Sequence, residues 1–336
     1  AYTAPHWPLH AFPEDIEQYR GRFDAGWDVL REERLERMVD MGIIDPGWRL
    51  TDRDPTQVPW DEAADKEWQA RRMEVYAAQI DSMDQGIGRI VRALEDTGQL
   101  DNTLIIFLAD NGGCAEELQP QFGQSPQSSA IRTSETRDGR PVTHGNIPEL
   151  MPGGEETYQS YGVPWANVSN TPFRLYKHWV HEGGIATPLI MHWPDEVQAR
   201  GELRHQTAQL PDIMATCINV AGATYPKERG MKRIAPLEGY SMTPILEDKP
   251  TAREALYWEH EGNCAIRQGQ WKLVKRFPGD WELYDMEADR TEMNDLAAEE
   301  PERVRELADL WQAWADRCDI EPWEKANPKL REEADA

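Results

Sequence analysis

Residues 103–113, Thr-Leu-Ile-Ile-Phe-Leu-Ala-Asp-Asn-Gly-Gly, join an apolar, β-branched run to an abrupt polar end. The run predicts a buried β-strand that presents the side chains of Asp110 and Asn111 at its carboxyl end. In open α/β sheets, ligands bind just outside the carboxyl ends of the strands. Two neighbouring oxygen donors there suit a hard cation such as Ca²⁺ or Mg²⁺. Asn-Gly is also a common tight-turn dipeptide, so the segment by itself fits a simple turn equally well.

The elements around this strand predict an α/β domain over residues 1–250. A long helix is expected between Trp60 and Gly98, because apolar residues recur there at three- and four-residue steps. A short apolar strand is expected at 188–193, whereas residues 112–170 show little periodicity and are typical of a functional or mobile region. Few strands are convincing in this domain, so its sheet is expected to be incomplete. The predicted apolar face of the long helix comprises Met73, Tyr76, Ile80, Met83, Ile87, Ile90 and Leu94.

The sequence pattern changes after about residue 250. Alternating segments separated by turn residues predict an antiparallel meander, and a periodic apolar face predicts a helix after it. We therefore expect a small C-terminal α+β subdomain over residues 251–320, in which the sheet packs on a long helix, and a charged tail over 321–336. The four strands are predicted at 255–260, 264–268, 271–276 and 281–285, and the helix at 300–317.

Composition excludes some function classes. The chain carries 61 acidic and 36 basic residues, for a net charge of −25, which argues against a nucleic-acid partner because phosphate contacts need basic patches. No stretch is long and apolar enough for a membrane span. The four cysteines lack metal-site spacing and are expected to be free thiols. Compartment and oligomeric state stay open.

Two side chains are candidates for binding an anion. Lys177 lies in a segment that ends in Gly183-Gly184, where glycines allow close backbone approach, and its ammonium could pair with an anionic group. His6, held between prolines, could donate a hydrogen bond to an oxyanion. A solvent-facing lysine and a packing histidine are the alternatives. His10, His178 and His181 are further candidates for the same role, whereas Glu182 is expected to be structural.

Several segments together resemble the sulfatase family, and its bacterial arylsulfatase branch in particular. The strand ending in Asp110-Asn111 is similar to the family strand that carries two calcium ligands, and Lys177-x-x-x-x-Glu-Gly-Gly resembles its substrate-lysine segment. The stretch Ala4-Pro-His-Trp-Pro resembles the one that bears its sulfate-binding histidine. The segment around Trp271 and Trp281 looks like its C-terminal subdomain. The resemblance runs along nearly the whole chain.

The resemblance implies an alkaline-phosphatase-like α/β fold and a sulfuric ester hydrolase. A cation, Ca²⁺ or Mg²⁺, held partly by Asp110 and Asn111 would orient the sulfate ester. A hydrated formylglycine would attack sulfur and release the alcohol. His6 and Lys177 would bind the sulfate oxygens, with His178 and His181 as further substrate-binding candidates, and His6 or Lys177 would protonate the leaving oxygen. The substrate would be a small-molecule or carbohydrate sulfate ester.

One departure from the family concerns the nucleophile. Formylglycine forms from Cys or Ser in a Cys/Ser-x-Pro-x-Arg motif, which these 336 residues do not contain. Asn170-Thr-Pro-Phe-Arg174 has Pro and Arg in register, but Asn cannot become formylglycine, so we interpret the match as coincidental. The chain is therefore expected to be the C-terminal portion of a longer sulfatase and to be inactive alone.

Two other interpretations stay open. One is a phosphomonoester or phosphodiester hydrolase of the same superfamily, although two-metal phosphatases commonly use an Asp-His pair where this chain has Asp110-Asn111. The other is a degenerate chain that only binds anions and catalyses nothing.

Overall fold

The computed structural model describes residues 1–120 and 134–327. The chain divides into two units, each assembled from separated stretches of sequence. The first unit comprises Ala1–Gly98, Asn111–Thr187 and Asp289–Met293, and the second comprises Gln99–Asp110, Pro188–Ala288 and Asn294–Ala336. The division predicted from sequence, 1–250, 251–320 and 321–336, stays a prediction.

The elements are short except for three helices. The helices are α1 (Pro13–Glu17), α2 (Gly26–Asp40), a 3₁₀ turn (Trp60–Glu62), α3 (Lys66–Asp96), α4 (Gly162–Ser169), α5 (Glu182–Ile185), α6 (Pro211–Val220), α7 (Thr243–Leu246), α8 (Pro301–Arg317) and α9 (Trp323–Ala326). The strands are β1 (Ile105–Leu108), β2 (Thr143–His144), β3 (Thr157–Tyr158), β4 (Leu189–His192), β5 (Glu228–Arg229), β6 (Lys232–Arg233), β7 (Leu256–His260), β8 (Asn263–Gln268), β9 (Trp271–Lys275) and β10 (Trp281–Asp285). None of the described helices is both long and apolar enough to cross a lipid bilayer.

The core of the first unit is built around Trp165 of α4, which is fully buried. Its ring meets those of Trp27 and Trp60 at centroid distances of 5.6 and 6.0 Å. The prediction that residues 112–170 lack clear elements is therefore wrong at α4. Because that helix is buried on nearly every side, it has no polar face to produce a helical periodicity.

Helix α3 lies within the predicted range but begins at Lys66 and not at Trp60, and its buried face differs in part from the predicted one. Val75 and Ala78 are completely buried, whereas Ile80 and Ile90 are 38% and 55% exposed. The regular spacing of isoleucines therefore identified the helix without identifying its contact face, since tertiary packing decides which side of an amphipathic helix is covered.

The strand pair of the second unit corrects the expectation of a buried strand before Asp110. Strand β1 pairs only with β4 among the described strands, and the pairing is antiparallel. Phe107 is 40% exposed and Ile190 is 60% exposed. With half-buried and exposed side chains and an antiparallel partner, β1 has neither the burial nor the parallel neighbours of a central α/β strand.

The C-terminal antiparallel meander is confirmed. Strands β7 to β10 form one sheet in the order β10-β9-β8-β7. Ile266, Leu273 and Leu283 from this sheet pack with Leu307 of α8 in a core where all four side chains are completely buried. The predicted face of α8 also contacts the sheet, since the Trp314 ring stacks on Tyr257 at 5.1 Å.

Candidate active site

Two double-glycine segments of the first unit contact each other through their backbones. The Gly112 amide donates to the Gly184 carbonyl at 2.9 Å. A Cβ placed on Gly112 would lie 1.8 Å from the Gly183 carbonyl oxygen, and one on Gly184 would lie 1.9 Å from the Trp179 carbonyl oxygen. Only glycine allows this approach. The close backbone contact therefore explains why both segments carry glycines.

Asn170 ties the same segments together with its side chain. Its carboxamide oxygen accepts from the Gly113 amide at 2.8 Å. Its nitrogen donates to the carbonyls of Leu175 and Gly183 at 2.9 and 2.8 Å. The sequence interpretation treated Asn170 as a coincidental match and missed this role. The only signal for it is an amide side chain, which both donates and accepts, close to a glycine-rich segment.

Lys177 and His6 lie together, as their shared predicted role requires. The Lys177 amide donates to the Gly113 carbonyl at 3.1 Å, which anchors the lysine to the first glycine pair. The Lys177 ammonium nitrogen lies 3.1 Å from Nε2 of His6. Nδ1 of His6 lies 2.9 Å from the Trp7 carbonyl oxygen. Because a carbonyl only accepts, Nδ1 donates, and Nε2 is left to accept from Lys177.

A surface carboxylate completes this cluster. Glu116 Oε1 lies 3.8 Å from the Lys177 nitrogen, and its other oxygen accepts from the Trp7 indole at 2.8 Å. The Glu116 side chain is 51% exposed and that of Lys177 is 32% exposed, so water screens the pair, and such pairs contribute about 0–1 kcal/mol. The ammonium therefore keeps most of its capacity to bind an anion.

Behind the second glycine pair, Glu182 is held by a segment distant in sequence. The Glu182 amide donates to the Glu292 carboxylate at 2.9 Å, and the Glu182 carboxylate pairs with Arg290. Arg174 Nε also donates to the Glu292 carbonyl at 3.1 Å. These contacts agree with the structural role expected for Glu182. Arg290 and Glu292 were missed, because no local pattern connects residues more than 100 positions apart.

The other predicted site residues occupy varied environments. His178 is exposed and meets Trp179 edge-on at 5.1 Å, whereas His181 is completely buried. His10 Nε2 donates to the Thr157 carbonyl at 2.6 Å, which gives it a structural contact. Asp110 is exposed and Asn111 is half-buried. The structure brings His6 and Lys177 into contact, and the substrate-binding roles of His178 and His181 stay predictions.

Cys114 lies next to this cluster and is buried, and burial raises the pKa of its thiol. Burial also raises the pKa of Cys264, to about 12, whereas Cys217 and Cys318 are exposed.

We expect a disulfide reagent such as DTNB to titrate two thiols rapidly in the native chain and all four after unfolding, because only accessible thiolates react. Rapid reaction of all four native thiols, or of Cys114 by peptide mapping, would contradict this assignment.

Comparison with known proteins identifies the family of the chain. The sulfatase family model matches residues 1–223, and the model for the C-terminal region of N-sulphoglucosamine sulphohydrolase matches residues 173–314. The chain belongs to the sulfatase family. It is 32% identical to an uncharacterized sulfatase of Schizosaccharomyces pombe over 321 residues, covering 92% of this chain and 56% of that protein.

Other relatives agree with this membership. An arylsulfatase of Klebsiella aerogenes is 32% identical over 271 residues, covering 76% of the chain and 52% of the relative. The chain thus spans about half the length of these curated relatives.

Solved structures show the same fold. The crystal structure of Ps i-CgsB superposes with a TM-score of 0.55 at 21% identity, covering 94% of the chain and 49% of that structure. A putative sulfatase, yidJ of Bacteroides fragilis, superposes with a TM-score of 0.51 at 14% identity, covering 94% and 52%. These likenesses confirm the predicted α/β, alkaline-phosphatase-like fold.

Proposed function

We propose that this sulfatase-family chain forms the sulfate-binding part of a sulfuric ester hydrolase that converts a sulfate monoester to an alcohol and sulfate. The observation that carries the proposal is the contact between Lys177 Nζ and His6 Nε2 at 3.1 Å. It brings the two residues proposed to bind sulfate oxygens into one cluster, although they lie 171 positions apart in sequence. The arylsulfatase of Klebsiella aerogenes, with 32% identity, supports the same chemistry.

In this arrangement Lys177 is the hydrogen-bond donor. One of its three N–H donors points to His6, and the others stay available to oxygens of a sulfate ester. Charge that develops on those oxygens, or on the leaving oxygen, is stabilised by a donor that is already in place. His6 accepts one N–H of Lys177 at Nε2 and thereby orients the ammonium.

Asp110 and Asn111 are the proposed cation ligands of this chain. Among the described residues, neither side chain has a hydrogen-bonding or ionic partner, and their carboxylate and carboxamide oxygens are the donors that Ca²⁺ and Mg²⁺ prefer. Side-chain oxygens without protein partners at the end of a strand fit a cation. When bound, such a cation supplies positive charge that polarises the ester and neutralises its oxygens.

We further propose that the nucleophile and the remaining cation ligands precede Ala1 in a longer polypeptide. Three observations support this proposal: the absence of Cys/Ser-x-Pro-x-Arg from the chain, the coverage of about half the length of its relatives, and the exposed apolar side chains of the strand pair β1–β4. The formylglycine of the family would then come from that preceding segment, and the chain alone would hold only part of the catalytic groups.

The test compares the 336-residue chain with a polypeptide extended at its N-terminus to the length of the S. pombe relative. We expect the extended polypeptide to hydrolyse an aryl sulfate, to lose activity with EDTA and to regain it with Ca²⁺, while the chain alone stays inactive. An aryl phosphate serves as the comparison substrate. A strong preference for phosphate would favour the phosphatase interpretation, and no hydrolysis of either ester would favour a degenerate anion-binding protein. Chelator-sensitive turnover by the chain alone would refute the proposed division of the site.

A further inference from the structure

Three metal-binding side chains of different chemistry converge beside Lys177. His6, Cys114 and Glu116 each present a ligand atom, and these atoms all lie within 4.8 Å of one another. Ligand atoms at about 2.0–2.3 Å from a tetrahedral zinc ion lie roughly 3.3–3.8 Å apart. Shifts of about an ångström would therefore suffice for all three to bind one ion, and two of the three side chains are exposed.

The hydrogen bonds around the cluster prepare two of these ligands for a metal. Metal-binding histidines almost always donate their second ring N–H to a carbonyl or carboxylate. His6 does so through Nδ1 to the Trp7 carbonyl at 2.9 Å, which leaves the lone pair on Nε2 as the one that a metal could use. The Trp7 indole holds the Glu116 carboxylate through a hydrogen bond of 2.8 Å. Trp7 thus orients both partners of Cys114.

We propose that His6, Cys114 and Glu116 form a site for Zn²⁺ or another thiophilic divalent ion, separate from the oxygen ligands Asp110 and Asn111. The donor set of one sulfur, one nitrogen and one oxygen suits Zn²⁺. Ca²⁺ takes oxygen ligands and is not expected to bind the thiol. On binding, the Cys114 S–H bond breaks, the thiolate bonds to the ion and the proton leaves to solvent. Burial of the thiol opposes this step, and the charge of the bound ion offsets it.

The proposed metal site and the proposed sulfate-binding pair, His6 and Lys177, both use Nε2 of His6. Nε2 of His6 has one lone pair, which accepts from Lys177 at 3.1 Å in this structure. A zinc ion bound to that lone pair displaces the Lys177 ammonium and repels it. This consequence rests on the proposed function: zinc and a sulfate ester would compete for His6 and Lys177, and zinc would inhibit the extended enzyme.

Zinc binding to the 336-residue chain tests the site without any measurement of activity. The reference chain carries Cys217→Ser and Cys318→Ser, which removes the two exposed thiols. Zn²⁺ is titrated against a chromophoric chelator, and Co²⁺ is used to look for a thiolate-to-metal charge-transfer band. We expect one ion per chain, with affinity falling at least about tenfold in Cys114→Ser and in Glu116→Gln, since even residues that only support metal ligands account for 10–100-fold.

The matched control is Glu149→Gln, which changes an exposed glutamate of the same unit outside the cluster and should leave the affinity unchanged. Circular dichroism shows whether Cys114→Ser folds, and the exposed Glu116 gives a second variant that does not disturb the core. Equal zinc affinity in the reference chain and both variants, or a cobalt complex without a thiolate band, would overturn the site. If zinc binds as expected but the extended polypeptide hydrolyses no sulfate ester, the proposed function fails and the metal site stands.

Discussion

Replacing Lys177 by alanine in the extended polypeptide should lower kcat/KM for an aryl sulfate by about 10²–10³-fold, the usual loss when one preorganised donor to a developing oxyanion is removed. The Lys177 side chain is 32% exposed, and its ion pair with Glu116 is long, at 3.8 Å. Little folding free energy therefore depends on it. We expect the melting temperature to change by no more than about 2 °C, since an exposed substitution usually changes stability by less than 0.5 kcal/mol.

The matched control is Lys249→Ala, which removes an exposed lysine of the second unit that pairs only with the neighbouring Glu247 among the described residues. It should leave kcat/KM unchanged. Because Lys177 and His6 share a hydrogen bond, the double variant with His6→Ala should lose less than the product of the two single losses. A loss below about threefold in Lys177→Ala, or strict multiplicativity in the double variant, would contradict the shared role.

The sequence predicted the periodic elements well and the packing of some of them poorly. Alternation in the C-terminal strands and the apolar stripe of α8 both reflect one buried face, and the structure buries those faces around Leu273 and Leu307. Helix α4 is buried on nearly every side, so its sequence shows no contrast between an apolar and a polar face. Strand β1 has the composition of a central strand, but among the described strands it pairs only with β4, and Phe107 is 40% exposed.

At the candidate site, the sequence predicted which residues bind the anion, but not the hydrogen bonds that hold those residues in place. His6 and Lys177 could be proposed because a histidine between prolines and a lysine before two glycines are unusual local contexts. Their contact at 3.1 Å spans 171 positions, and no local pattern encodes it. The hydrogen bonds of Asn170 and Glu292 likewise join chain segments that only the fold brings together.

The largest loss of stability is expected from Gly112→Ala. A Cβ at this position would lie 1.8 Å from the Gly183 carbonyl oxygen, which is a backbone atom and cannot rotate away as a side chain does. Overpacking in a tight core costs about 1–3 kcal/mol. We expect a destabilisation at or above the upper end of this range, because moving the two backbones apart also strains the 2.9 Å hydrogen bond from the Gly112 amide to the Gly184 carbonyl. Thermal unfolding should show a fall in melting temperature of about 6 °C or more, at 2–4 °C per kcal/mol for a protein of this size class.

Gly88→Ala is the matched control with the opposite expected sign. Gly88 lies inside α3, and a Cβ there would meet nothing within 4 Å. Alanine should therefore stabilise the helix by about 0.5–1 kcal/mol through its higher helix propensity.

If Gly112→Ala unfolds at the same temperature as the parent, the backbone contact does not constrain the fold. If it unfolds earlier while its zinc affinity and thiol reactivity stay unchanged, the glycine pair supports stability without positioning Cys114. The loss of both together would show that the glycine contact holds the anion-binding and thiol groups in register, since Gly113 lies between Gly112 and Cys114 and its carbonyl accepts from the Lys177 amide at 3.1 Å.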